Sequence, residues 1–325
     1  MNAAAADTRE VAAPRVGVLE TLGLVVRSLR PRQWPKNGVV LLSLVFAQEL
    51  GKPDLVLRAL AATLLFCLLS GAVYLSNDLR DAEHDRLHPR KRRRPIASGQ
   101  LSRPVAAGAA IVIGTVALVG AFALSTGFGL TALGYLVLQA VYVGLVKHVV
   151  ILDVLTLALG FVLRAVAGAV AVAVPISPWL YVCALLLALF LALGKRRQEL
   201  VSLTATTATA DGATGEVGLA GRHRPALEEY TVGLLDQLIQ VVTTCLVLAY
   251  SLYTFSAENL PRNHAMMLTV PFVLYGLFRY LYLVHVRGEG GAPEEILLRD
   301  RGIAVCVALW GVACVAILYL SPRVY

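Results

Sequence analysis

Apolar runs of membrane-crossing length, separated by short polar breaks, set the pattern of this chain. Nine runs stand out, at about 37–50, 55–76, 104–124, 129–147, 150–174, 178–194, 233–256, 265–286 and 302–320. A helix needs roughly 20 apolar residues to cross the hydrocarbon core, so the pattern predicts nine transmembrane helices, the first of them short. Three breaks are brief and poor in reactive groups: Ser125 to Gly127, Pro175 to Pro178, and Glu258 to His264. Four others carry most of the polar chemistry: about 77–103, the turn at Lys147-His148, about 195–232, and about 287–301. The expected fold class is an all-α polytopic membrane protein, with nine transmembrane helices around a polar cavity on the side of those four connections. Residues 1–14 are Ala-rich without an apolar core, which predicts a disordered tail and not a cleaved signal peptide. Residues 15–325 are read as one transmembrane domain. Within it, 16–30 has the mixed character of an interfacial amphipathic helix. The prolines of Arg30-Pro31-Arg32-Gln33-Trp34-Pro35-Lys36-Asn37 then break that helix at headgroup level.

Composition agrees: 58% of residues are hydrophobic and the mean hydropathy is +0.71, which excludes an ordinary soluble domain. The net charge of +8 does not imply nucleic acid. With the N-terminus in the cytoplasm, 23 of the 29 Lys and Arg lie on the cytoplasmic side. Lys52, Arg58, Arg262 and Arg323 fall outside, and Arg164 and Arg279 lie within spans. That bias is the positive-inside rule. It predicts a multi-pass protein of the cell (plasma) membrane whose active site faces the cytoplasm. All five cysteines sit in apolar runs without a CxxC pair, and the six histidines show no zinc spacing.

The chemistry concentrates at Asn77-Asp78-Leu79-Arg80-Asp81-Ala82-Glu83-His84-Asp85, where the second run ends. Asn77, Asp81 and Asp85 are four residues apart and stack along one face of a helix, with Tyr74 one turn earlier. Hard oxygen ligands at a membrane surface suit Mg²⁺, which is held by one or two carboxylates plus substrate phosphates. The run Arg90-Lys91-Arg92-Arg93-Arg94 is a counter-charge for phosphate. Glu294, Glu295 and Asp300 read as a solvated loop face. Arg164 sits mid-span, eleven residues after Asp153 and on nearly the same helical face. It reads either as half of a buried Arg–Asp pair or as the cation at the floor of an anion-binding cavity. The second reading is favoured because Lys147, Lys195, Arg196 and Arg197 end spans on the same side, although such cations also set topology or meet lipid headgroups. Gly160 and Gly168 flank Arg164 and permit close backbone approach.

The Asn77–Asp85 segment matches every fixed position of the NDxxDxxxD signature, and with the nine spans the chain resembles the UbiA-type superfamily of intramembrane transferases. The resemblance covers nearly the whole chain. It implies Mg²⁺ at a diphosphate-binding site and transfer of a group to an acceptor. Prenyl-transferring members carry a second Asp-rich motif after span six. Here Lys195-Arg196-Arg197-Gln198-Glu199 stands instead. That departure, the Arg30–Asn37 string, Gly160–Ala165 and Ala188–Leu200 are similar to a narrower branch of that superfamily, the decaprenyl-phosphate phosphoribosyltransferases of cell-wall arabinan precursor synthesis.

The resemblance implies transfer of 5-phosphoribosyl from phosphoribosyl pyrophosphate to a polyprenyl (decaprenyl) phosphate, with release of pyrophosphate. Asn77 and Asp81 would be the metal ligands. Asp78, Asp81 and Asp85 would be the catalytic carboxylates. Lys36, Tyr74, Lys91, Lys147, Arg164, Lys195 and Arg196 would bind substrate. The implied partners are the two substrates and the membrane, with no nucleic acid; a homo-oligomer is compatible with the sequence. The acceptor phosphate is already anionic, so the reaction needs no strong general base and no triad. Two alternatives remain: a prenyltransferase acting on an aromatic acceptor, which shares the fold and metal site, and an anion transporter.

Overall fold

The structure is a computed structural model that describes residues 17–87, 91–175, 177–210 (203–210 as backbone), 229–257, 260–261, 263–289, 296 and 299–320. The expected tail 1–14, Arg90, Glu294 and Glu295 lie outside the described residues. Among the described residues every regular element is helical. Eight helices are long and apolar enough to cross a membrane, and with the hydropathy of the chain they make it a multi-pass membrane protein.

Helix α1 (Val18–Ser28) carries exposed Val18, Leu19, Leu22 and Val26, while Leu24 and Val25 pack inward. It has the two-faced character expected of an interfacial helix. The first expected span, 37–50, is resolved differently. Pro31–Gly38 forms a 3₁₀ helix that runs into the eight-residue α2 (Val39–Phe46). At the rises of the two helix types this pair reaches about 28 Å, although α2 alone gives only about 12 Å. So this segment is not a single long α-helix. Prolines 31 and 35 favour the tighter coil, and Gln48, with φ of 59°, ends the run.

The other spans follow the hydropathy pattern: α3 (Pro53–Arg80), α5 (Arg103–Leu124), α6 (Thr126–Gly144), α7 (Leu152–Val172), α8 (Pro178–Ala210), α9 (Val232–Ser256), α10 (Val270–His285) and α11 (Arg301–Leu320). The short α4 (Ala82–Leu87) follows α3. One connection is shorter than expected, because Lys195-Arg196-Arg197-Gln198-Glu199 stays helical within α8. Those residue types are good helix formers, and no Gly or Pro interrupts them.

Neighbours in sequence pack side by side from α2 and α3 round to α10 and α11. The ring closes where Tyr319 Oη donates to the Val45 carbonyl at 3.3 Å and accepts from Leu50 N–H at 3.1 Å. One half is cored by Phe66, Phe128 and Tyr135. The other is cored by Phe190, Leu235, Ile239 and Leu283. Helix α7 crosses between the halves and is the most buried span.

Its contact with α2 depends on Gly168. A Cβ there would run into the backbone carbonyl of Val40, as the sequence spacing of small residues anticipates. Because that obstacle is main chain, it cannot swing aside. Gly168→Leu is expected to destabilise the protein by about 1–3 kcal/mol, read as a lowered thermal midpoint in detergent. Gly134→Leu, at a position with open space, is the control that stays near the parent value.

Candidate active site

The acidic motif lies at the end of α3, and the helix breaks within it. Asp81 is the C-cap, with φ −90° and ψ 3°. The four-residue spacing survives the break, since Asp81 N–H donates to Asn77 O at 2.9 Å and Asp85 N–H to Asp81 O at 2.8 Å. The motif is therefore a helix end, a one-residue step and a short helix, not one continuous helical face.

The step separates the carboxylates into two environments. Asp78 and Asp85 are buried, at 3% exposure each. Arg94 Nη1 donates to both, at 3.0 Å to Asp78 and 2.5 Å to Asp85. Arg30 Nη2 also donates to Asp78, and its guanidinium lies 4.9 Å from the centroid of the Tyr74 ring. Lys91 Nζ stands 4.0 Å from Asp85. Asp81 is different: its side chain is 43% exposed, and among the described residues its cationic neighbour is Lys147, with Nζ at 3.8 Å. Asn77 is half-buried one turn before it. Lys36 is half-buried beside Asn37 on the 3₁₀ helix.

The basic stretch of α8 makes its own network. Arg196 Nε donates to Asp153 at 2.6 Å and Nη1 to Glu199 at 2.7 Å. Arg196 and Asp153 side chains are 3% and 2% exposed. Arg197 donates to Asp236 on α9 at 2.6 Å, and His285 Nε2 lies 3.1 Å from the same carboxylate. Lys195 is half-buried. Tyr230 Oη donates to Asp153 at 2.9 Å and accepts from Ile151 N–H at 2.7 Å. Burial pushes the Tyr230 phenol up to about 12, so it remains a proton donor to Asp153 at neutral pH. Ile151 has φ of 68°. A β-branched residue there is strained by about 1–3 kcal/mol, and the Tyr230 contact holds it.

The α6–α7 turn joins the two networks. Lys147 reaches Asp81, and Tyr142, on the last turns of α6, lies 3.4 Å from Arg196 Nη2. Arg164 belongs to neither. It is 5% exposed, and its donors go to Asn37 Oδ1 at 2.8 Å, Gly160 O at 2.8 Å and Tyr135 Oη at 2.9 Å. It does not pair with Asp153, because eleven residues of helix separate them by about 16 Å.

Sequence reasoning missed Arg30, Asn37, Tyr135 and Tyr230, and it read Arg94 as a counter-charge for phosphate, whereas Arg94 donates to Asp78 and Asp85. Arg30 and Asn37 bound the Arg-Pro-Arg-Gln-Trp-Pro-Lys-Asn string, and Arg94 ends the basic run, so their neighbourhoods were signalled though their roles were not.

A divalent ion fits only one part of this geometry. Among the described residues no group of three or more His, Cys, Asp or Glu could hold a metal, and Asp78 and Asp85 are taken up by arginines. Asn77, half-buried, and Asp81, 43% exposed, remain as hard-oxygen donors one helical turn apart. That is the sparse protein contribution Mg²⁺ accepts when phosphate oxygens and water complete its octahedron.

The model of the UbiA prenyltransferase family matches residues 38–199. A decaprenyl-phosphate phosphoribosyltransferase of Mycobacterium tuberculosis (strain ATCC 25618 / H37Rv) is 33% identical over 290 residues, 88% of this chain and 91% of the relative. One from Mycolicibacterium smegmatis (strain ATCC 700084 / mc(2)155) is 32% identical over 325 residues, 96% and 98% of the two chains. Among solved structures, a UbiA homolog from Archaeoglobus fulgidus bound to GPP and Mg2+ superposes with a TM-score of 0.65. It shares 19% identity and covers 91% of this chain and 99% of its own, a likeness of fold. The matched signature, the helical ring and the end-to-end relatives place this chain in the UbiA prenyltransferase family.

Proposed function

We propose that the protein transfers the 5-phosphoribosyl group of phosphoribosyl pyrophosphate to a polyprenyl phosphate, decaprenyl phosphate in the reading its relatives support, releasing pyrophosphate. The observation that carries this is the division of charge at the site. One carboxylate, Asp81, is open. The place of a second acidic motif is basic, and its two arginines are engaged by Asp153, Glu199 and Asp236. A prenyl diphosphate offers one anionic end. Phosphoribosyl pyrophosphate offers two, and suits one metal-type pocket plus a second at Arg164, whose acceptors are all neutral.

In this reading Asn77 and Asp81 hold Mg²⁺, which when bound shields the negative charge of the departing pyrophosphate. Lys147 and Lys91 lie beside the same motif and bind the diphosphate. Lys36, Lys195 and Arg164 supply the second anion pocket, and Tyr74 orients the sugar. Asp78 and Asp85 act through Arg30 and Arg94, fixing both guanidiniums where charge leaves the sugar. Arg196 positions Asp153 and the α6–α7 turn that presents Lys147. The acceptor phosphate attacks the anomeric carbon, the C1–O bond to pyrophosphate breaks, and the configuration inverts. The site faces the cytoplasm of the plasma membrane, where a water-soluble donor meets a lipid acceptor at headgroup level.

The test is incubation of purified protein with Mg²⁺, decaprenyl phosphate and ribose-labelled phosphoribosyl pyrophosphate. Label is expected in the lipid phase and is expected to vanish with EDTA, returning on addition of excess Mg²⁺. No lipid label, with geranyl diphosphate consumed to alkylate 4-hydroxybenzoate instead, would sink the proposal in favour of prenyl transfer.

A further inference from the structure

Arg164 is the one strongly buried arginine among the described residues with no carboxylate in ion-pair range. Arg30, Arg94, Arg196, Arg197 and Arg279 all have such partners. An uncompensated cation inside a membrane protein costs several kcal/mol, so neutral acceptors alone make a poor structural solution. Yet the acceptors are carefully held. Asn37 is 1% exposed. Its Nδ2 donates to Ser70 Oγ at 3.1 Å and to Cys67 Sγ at 3.3 Å, both on α3. That fixes the amide so that Oδ1, not the NH₂, faces Arg164 on α7. Tyr135 on α6 holds Nη2, and the Tyr135 and Phe161 rings lie 4.8 and 5.0 Å from the guanidinium carbon. Three of the five guanidinium N–H groups are engaged, which leaves one on each Nη without an acceptor among the described residues. The anchoring Ser70 is two turns before Asp78 on the same helix, about 12 Å deeper.

We propose that Asn37 is a specificity-determining residue: it meets Arg164 with a neutral oxygen, so the whole charge of the guanidinium is left for a phosphate group of the donor. The arriving anion then supplies the missing counter-charge. An aspartate at position 37 has the same shape but would neutralise Arg164 in advance. This deepens the phosphoribosyl-transfer reading and rests on it only for which donor brings the phosphate.

The test compares Asn37→Asp with Asn37→Ala in the full-length protein, titrating inorganic pyrophosphate and ribose 5-phosphate by calorimetry with Mg²⁺ present. Asn37→Asp is expected to weaken at least one anion by about tenfold, while its thermal midpoint stays at or above that of Asn37→Ala. Asn37→Ala, which removes an anchor without adding charge, is expected to lose stability and keep anion affinity within about threefold of the parent. A purely structural Asn37 costs stability when replaced and leaves anion affinity the same in both variants. Equal weakening in both variants, unchanged binding by Asn37→Asp, or no binding of either anion by the parent chain overturns the proposal. Should Asn37→Asp prove too unstable to purify, donor KM in membranes gives the same discrimination: it rises about tenfold while acceptor KM does not move. Both anions can be titrated whether or not phosphoribosyl transfer occurs, so a failed transfer assay is distinguishable from a failed role for Asn37.

Discussion

Asp81→Ala is expected to reduce turnover by about 10²–10³-fold while leaving the fold intact. The reason is the unequal burial of the acidic motif. The Asp81 side chain is 43% exposed, and its one cationic neighbour among the described residues is Lys147, at 3.8 Å. An exposed pair at that distance contributes about 0–1 kcal/mol to stability, so the thermal midpoint should move little. The chemistry loses more, because Asp81 is the carboxylate of the motif that no arginine occupies. Asp78→Ala is the contrasting variant. It leaves Arg30 and Arg94 without a shared acceptor, so activity and thermal stability should fall together. Circular dichroism melts of both variants, read beside turnover, check the separation. If Asp81→Ala melts as low as Asp78→Ala, the division into an open and an arginine-bound set is wrong.

Asp153→Ala carries the largest expected effect on stability, a loss of about 3–5 kcal/mol. The Arg196–Asp153 pair is almost wholly enclosed, and removing one partner strands a charge in a low-dielectric setting. Glu199 still accepts from Arg196 and limits the loss. Tyr230 loses its acceptor as well, and with it the restraint on the strained Ile151 backbone. Arg196→Met in the same chain removes the stranded cation, so the double variant Asp153→Ala/Arg196→Met should recover much of the loss. Chemical denaturation in detergent, run on both single variants and the double, measures the coupling. A double variant as unstable as the sum of the singles would show that the pair is not what holds α7 to α8.

The membrane spans were legible because hydropathy over some twenty residues is a physical requirement of crossing hydrocarbon. The same signal overran at 37–50, where the α-helix is only Val39–Phe46 and Gln48, with φ of 59°, follows its end. It also ended α8 at Gly194, because Lys and Arg read as loop although they prolong helices well. At the site, the spacing of Asn77, Asp81 and Asp85 pointed to the cluster at the end of α3, and the i to i+4 backbone bonds keep that spacing. It did not reveal that Asp78 and Asp85 turn inward. Their partners come from elsewhere: Arg30 is 48 residues from Asp78, and Asn37 is 127 residues from Arg164. No local periodicity encodes such contacts; they arise when 3₁₀ helix, α3 and α7 meet. Arg164 itself was legible, because a cation in a membrane span demands a reason.

The most direct test of the proposed reaction follows the fate of two labels in one donor. Phosphoribosyl pyrophosphate carrying ³²P at the 5-phosphate is compared with donor carrying it in the diphosphate, each with Mg²⁺ and decaprenyl phosphate. Phosphoribosyl transfer predicts that the 5-phosphate label enters the lipid phase while the diphosphate label leaves as free pyrophosphate. Diphosphate label in the lipid, or neither label there while a prenyl diphosphate is consumed under the same conditions, would contradict it.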